Sequence, residues 1–231
     1  MKIRGLQKLT LLDFPGEIAC TVFLGGCNFR CPFCHNGSLV MDAGESEIGV
    51  EELLKFLDGR RGRLGGVCIS GGEPCLNADL PELIGAIKSL GLLVKLDTNG
   101  SRPEMLKSLI SAGLVDYVAM DIKNSPDSYG TTIGIENCPA TLTESIRQSA
   151  EILMSGDVDY EFRTTLVREL HTADDMHDIG QWLRGAKKYY LQTYRDEGDL
   201  LVGGFSPFSS EETEELLSIL RQYIPSAEIR S

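Results

Sequence analysis

The sequence predicts an α/β fold, a partial TIM-type (β/α)6 barrel built as one domain over residues 1–231. Three observations predict it. Short β-like runs alternate with amphipathic helical periods along the chain, the pattern of a parallel sheet covered by helices. Six such units are present, fewer than a closed eight-stranded barrel needs. Glycines and polar residues gather just after the runs, at the strand edge that carries active sites in parallel α/β folds. An open flavodoxin-like sheet is the alternative arrangement of the same units.

The β-like runs are 18–24, 66–70, 92–97, 115–122, 160–167 and 189–193. Each is short and β-like, as the strands of a parallel sheet joined by helical crossovers are. Before the first run, Asp13-Phe14-Pro15-Gly16 reads as a turn. Between runs, Val50, Leu53, Leu54 and Leu57 follow i, i+3, i+4, i+7 spacing, as do Leu80, Leu83, Ile84 and Ile87. Further helices are expected at about 103–112, 142–155, 174–185 and 210–223. Pro103 suits a first helical turn, and Thr141-Leu142-Thr143-Glu144 has the form of a capping box. Residues 125–139 are rich in Gly, Pro, Asn, Ser and Thr. They read as a long loop over the active-site edge, either a lid or docking surface or a flexible connection.

Composition bounds the function. The chain carries 34 acidic and 22 Lys or Arg residues, a net charge of −12, which argues against a general nucleic-acid binder. No apolar stretch approaches the roughly 20 residues of a membrane helix, and the N-terminus lacks the apolar core of a signal peptide. A cytoplasmic protein with no membrane partner is expected. Seven cysteines, odd in number and clustered, point to metal or redox work in a reducing compartment.

Three of those cysteines lie in Cys27-Asn28-Phe29-Arg30-Cys31-Pro32-Phe33-Cys34, directly after the first run. Three thiolates from one loop leave a tetrahedral set one ligand short, and an open position is where chemistry happens. A zinc knuckle completed by His35 would need adjacent residues, Cys34 and His35, to bite one ion with little chain between them. Gly71-Gly72-Glu73-Pro74 ends the second run; two glycines allow close backbone approach to a ligand, and Glu73 offers a carboxylate for an ammonium group. Asp97-Thr98-Asn99-Gly100 and Met120-Asp121-Ile122-Lys123 end the third and fourth runs. Lys123 can pair with a carboxylate and Asp97 with a cation or hydroxyl. Arg163 faces either the barrel mouth or an outer ion pair, because a charge inside a strand needs a partner. Cys20 and Cys68 read as small buried side chains, Cys75 as a satisfied loop cysteine, and His171 and His177 as surface residues.

The C-x3-C-x2-C spacing, with aromatic Phe33 before the third cysteine, resembles the signature of the radical S-adenosylmethionine (SAM) enzymes. The resemblance implies a [4Fe–4S] cluster on Cys27, Cys31 and Cys34, with SAM at the free iron. It implies that the Phe33 main chain contacts adenine and that Gly71, Gly72 and Glu73 hold the SAM amino group. Asp97-Thr98-Asn99-Gly100 and Asp121-Ile122-Lys123 look like the corresponding stretches of the glycyl-radical-enzyme activating branch. There the matching positions, Asp97, Thr98, Asn99 and Lys123, bind SAM. A monovalent cation is a further possibility, at Asp97, Thr98, Met120 and Asp121. Arg163 and Gln192 complete the implied SAM contacts. That branch often has a His near Gln192, and this sequence has none, so Gln192 or Tyr194 takes its place.

The same resemblance implies a function. Reductive cleavage of SAM would give a 5′-deoxyadenosyl radical, which takes a hydrogen atom from a backbone glycine of a large glycyl radical enzyme. The likeness of Gly5-Leu6-Gln7-Lys8, of Asp13-Phe14-Pro15-Gly16 and of the 26–36 stretch is strongest to the group that activates anaerobic ribonucleoside-triphosphate reductase. An activase of the pyruvate formate-lyase type and a small-molecule enzyme resembling 7-carboxy-7-deazaguanine synthases are the alternatives. A non-catalytic iron–sulfur or zinc module would leave the strand-end residues without a task. Reduced flavodoxin or ferredoxin is the implied electron donor, and air must be excluded.

Overall fold

The computed structural model describes residues 1–41, 47–196 and 199–230. Each predicted run forms a strand: β2 (Ala19–Leu24), β3 (Gly66–Gly71), β4 (Leu93–Thr98), β5 (Tyr117–Asp121), β6 (Asp159–Leu166) and β7 (Tyr189–Thr193). Two edge strands join them, β1 (Ile3–Thr10) and β8 (Ala227–Arg230). The sheet order follows the sequence, β1 to β8. β1 runs antiparallel to β2, and every later neighbour is parallel. Among the described residues β8 and β1 do not pair, so the sheet curls without closing.

Helices make the crossovers that parallel pairing demands. In chain order they are α1 (Gly37–Val40), α2 (Val50–Asp58), α3 (Leu80–Ser89), α4 (Pro103–Ser111), α5 (Tyr129–Thr132), α6 (Ala140–Met154), α7 (Ala173–Trp182) and α8 (Ser210–Arg221). Their apolar stripes bury Leu53 and Leu57 on α2, and Leu80, Leu83, Ile84 and Ile87 on α3. Pro103 opens α4 as expected. The expected capping box at Thr141–Glu144 does not form. α6 starts two residues earlier, from Pro139 at its N-cap, and no side chain caps it. The boxes that do form are Thr172 with Asp175 and Ser209 with Glu212.

The sheet has two unlike faces, set by the period of two along a strand. Toward the helices point Val67, Ile69, Val94, Leu96, Val118 and Phe162, all fully buried. The alternate residues, such as Lys95, Asp97, Asp121, Glu161 and Arg163, carry charge into the concave side. Residues 125–139 are not a loose connection. They contain α5, bury Tyr129, Thr132 and Ile133, and pack under the cysteine loop. There the Arg30 N–H donates to the Ile133 carbonyl at 2.9 Å, and the Phe29 ring meets Tyr129 edge-on at 6.5 Å.

Candidate metal centre and ligand cavity

The β2–α1 connection and the C-terminal ends of β3 to β7 enclose a cavity of about 240 Å³. Cys27, Cys31, Cys34 and Phe33 line it on one side. Gly71, Gly72, Asp97, Thr98, Asn99, Asp121, Lys123, Arg163 and Gln192 line the rest. Thirteen expected residues thus reach one space from six separate segments of chain.

The cysteine loop is pinned by backbone contacts. Gly72 N–H donates to the Leu24 carbonyl at 2.9 Å, and Glu73 N–H to the Gly26 carbonyl at 2.8 Å. A Cβ at Gly71, where φ is +119°, would strike the Leu24 backbone, and one at Gly72 would strike Gly26. The missing side chains therefore serve backbone–backbone approach between the two halves of the site. Downstream, the Leu201 N–H donates to the Cys34 carbonyl at 3.0 Å and the Val202 N–H to the Pro32 carbonyl at 2.9 Å.

Burial raises the Cys27 thiol above its usual range and pushes Cys31 up to about 12. Such thiols stay protonated until a metal displaces the proton. Lys123 lies within electrostatic reach of Cys27 and Cys31 and favours their thiolates. The Phe29 N–H donates to Cys27 Sγ at 3.4 Å, and Asn99 Nδ2 approaches the same sulfur at 3.9 Å. Asn99 is itself held by Asn28 Oδ1 at 3.0 Å. His35 is engaged elsewhere: its Nε2 meets the Arg195 carbonyl at 2.6 Å and its ring lies 5.4 Å from Tyr194. Among the described residues no three His, Cys, Asp or Glu side chains are gathered as they would be on a single ion. Three thiols ringing a cavity, without a fourth, suit a polynuclear iron–sulfur group with one open iron.

The opposite wall is a ladder of paired charges. Arg163 Nε donates to Asp121 Oδ1 at 2.9 Å, and Arg163 Nη1 lies 3.6 Å from Asp97 Oδ2. Lys123 Nζ donates to Asp121 Oδ2 at 3.1 Å, and Lys95 pairs with Asp97 from below. Burial alone would raise both carboxyls. Arg163 and Lys123 outweigh it at Asp121, holding it at about 2, and Arg163 and Lys95 hold Asp97 below its usual range. Arg163 thus faces the mouth, and Glu161, two residues before it on the same strand face, is clasped by Arg230 at 2.7 Å.

Several residues sit otherwise than expected. Glu73 is fully buried and does not line the cavity. Its carboxylate accepts from Cys75 N–H at 2.9 Å, Thr98 Oγ1 at 2.8 Å and Asn99 N–H at 2.6 Å. It ties the Gly-Gly turn to the end of β4 instead of presenting a free carboxylate. Of the four residues suggested for a monovalent cation, Asp97, Thr98 and Asp121 line the cavity and Met120 does not. Asp97 and Asp121 point to the concave side and are already paired. Thr98 reaches the cavity at the end of β4 while its hydroxyl donates to Glu73, and its register partner Met120 is fully buried. Gln192 lines the cavity, whereas Tyr194 is buried and donates to Asp196 at 2.8 Å. His171 is buried, not on the surface, and His177 meets Tyr223 Oη at 3.0 Å.

Ser70, Thr165, Asn36 and Phe29 also line the cavity and were not singled out in the sequence. Period two would have found the first two. Ser70 shares its strand face with Cys68 and donates to Asp97 at 3.0 Å, and Thr165 lies two residues beyond Arg163.

Known proteins resemble this sequence, and solved structures share its fold. The Radical SAM superfamily pattern matches residues 21–160. A Methanocaldococcus jannaschii protein, provisionally named a glycyl-radical enzyme activating enzyme, is 30% identical over 99% of this chain and 95% of its own. The pyruvate formate-lyase 1-activating enzyme of Escherichia coli K12 is 28% identical over 96% of each. A radical SAM methyltransferase structure from Sphaerobacter thermophilus superposes with a TM-score of 0.72 at 16% identity, covering 96% of this chain and 68% of that one, and shares the fold. The family uses a [4Fe–4S] cluster and SAM, for which three thiols around an open cavity are a fitting set. The chain belongs to the radical SAM superfamily and is an enzyme homologous to the glycyl-radical enzyme activating enzymes.

Proposed function

We propose that this enzyme generates a glycyl radical on a large partner protein. The observation that carries this is the union of three thiols and a charged strand-end rim on one open cavity, in a chain that matches activating enzymes along nearly its whole length. Cys27, Cys31 and Cys34 would hold the cluster. When bound, cluster and SAM together supply a 5′-deoxyadenosyl radical able to take a hydrogen atom from a glycine Cα.

The chain's own residues bind and orient. Lys123 would pair with the SAM carboxylate, since it lines the cavity within electrostatic reach of Cys27 and Cys31. Gly71 and Gly72 would offer backbone to the amino group, with Glu73 fixing that turn from behind. Asp97, Thr98 and Asn99 would border the ribose side, Phe33 the adenine, and Arg163 and Gln192 the far wall. Arg163 also keeps two carboxylates ionised in a buried wall, so the rim stays charged without an added ion.

Anaerobic ribonucleoside-triphosphate reductase is the target placed first, on Gly5-Leu6-Gln7-Lys8, Asp13-Phe14-Pro15-Gly16 and the 26–36 stretch. The likeness to the E. coli activating enzyme favours a pyruvate formate-lyase type target as the second reading. Reduced flavodoxin or ferredoxin would donate the electron. Anaerobic spin resonance of the reconstituted enzyme mixed with each candidate tests the target. A glycine-centred doublet in the reductase alone supports the first reading, and one in the lyase alone the second. Release of 5′-deoxyadenosine with no doublet in any candidate would refute activation.

A further inference from the structure

Lys123 lies two residues beyond the end of β5, past the last ladder bond from Ile122 N–H to the Arg163 carbonyl at 2.8 Å. Its backbone is instead gripped by two side chains. The Lys123 N–H donates to Tyr129 Oη at 3.2 Å. Tyr129 Oη in turn donates to the Asp121 carbonyl at 3.4 Å, so one hydroxyl ties both residues flanking Ile122. The Lys123 carbonyl accepts from His171 Nε2 at 2.8 Å. The Lys123 carbonyl can only accept, which places a proton on Nε2, while Nδ1 lies 3.0 Å from the Val167 N–H and 3.1 Å from the Val167 carbonyl. Tyr129 and His171 are 0% and 2% exposed, and neither lines the cavity. α5, which supplies Tyr129, also supports the cysteine loop through Phe29 and through Ile133. One segment therefore sets the spacing between Lys123 and the thiols.

We infer that Tyr129 and His171 are positioning residues, clamping the Lys123 main chain so that its ammonium meets the SAM carboxylate at a fixed distance from the cysteine loop. This rests on the assignment of Lys123 as the carboxylate's partner. A buried hydroxyl and a buried imidazole with fixed donor and acceptor roles rigidify a residue that no strand holds.

The test is a set of coupled substitutions on the anaerobically reconstituted enzyme, read by SAM calorimetry, iron content and melting temperature. Tyr129→Phe and His171→Gln are the volume-sparing changes; His171→Ala is the more severe one. In the native background each loss of a grip should weaken SAM binding by up to about tenfold, with iron content unchanged. His171→Gln keeps an N–H for the Lys123 carbonyl and should fall between native and His171→Ala. In a Lys123→Ala background the same changes should cause no further loss, because the two effects share one route. Equal weakening with and without Lys123 would overturn the inference, as would native SAM affinity in Tyr129→Phe and both His171 variants. Lys123→Ala binding SAM as the native protein does would instead bring down the Lys123 assignment, and the inference with it.

Discussion

The two faces of the sheet obey different rules. Toward the helices, Val94, Leu96, Val118 and Phe162 are interchangeable in kind: each is apolar and buried, and each contributes by area removed from water. On the concave side, Lys95, Asp97, Asp121 and Arg163 are not interchangeable, because every member is the partner of another. A buried charge left alone costs far more than the pair contributes. The contrast teaches that stability and ligand chemistry share the same strands but not the same residues, alternating one by one along β4 to β6.

Substitutions that respect this alternation separate the two roles. The largest effect is expected at the thiols. Cys27→Ala, Cys31→Ala or Cys34→Ala should each reduce 5′-deoxyadenosine release to background, checked by chromatography after anaerobic reduction, while the fold, held by the opposite face, persists in circular dichroism. Gly72→Ala and Arg163→Met come next. The first drives a Cβ into the Gly26 backbone. The second strands Asp97 and Asp121. Each should cost about 3 kcal/mol or more in denaturant unfolding and weaken SAM binding as well. Leu96→Ala, on the other face, should cost a similar 2–5 kcal/mol by the cavity it leaves, roughly the range for such truncations, yet leave SAM affinity within twofold. A large loss of SAM affinity there would break the proposed separation.

A smaller effect comes from pH. The Asp121 carboxyl is depressed in the folded state to about 2. A depressed carboxyl stabilises the fold above its ordinary unfolded range and gives that up as pH falls toward the folded value. Unfolding of the metal-free chain between pH 5 and pH 2 should therefore lose roughly 2 kcal/mol from this group, a loss absent in Asp121→Asn. Equal acid sensitivity in both proteins would show that the Arg163 and Lys123 pairing is unimportant.

How far the sequence reveals this arrangement depends on where each signal lies. The six inner strands are legible because each is a short run whose helix-facing residues are apolar, set between turn signals and helical periods. β1 and β8 are not: at the edges one side stays in water, so Arg4 and Lys8 interrupt the first, and the second is only Ala227–Arg230. The cysteine loop is legible because its ligands are contiguous. Glu73 misleads because a sequence cannot say which way a turn residue points once the strand has ended, and its three donors lie at Cys75, Thr98 and Asn99. The suggested cation set is legible in part: Asp97, Thr98 and Asp121 border the cavity, while Met120 is buried away from it. His171 sits among polar neighbours and reads as surface, yet its partner is a carbonyl 48 residues away. Local composition carries no trace of such a bond.

Whether the three thiols leave one iron open for SAM decides everything else about this site. Electron–nuclear double resonance on the reduced, reconstituted enzyme with SAM labelled at its amino nitrogen tests it directly. A hyperfine coupling between that nitrogen and the cluster is the predicted result. A fully loaded cluster that shows no coupling, with SAM demonstrably bound, would contradict an open iron.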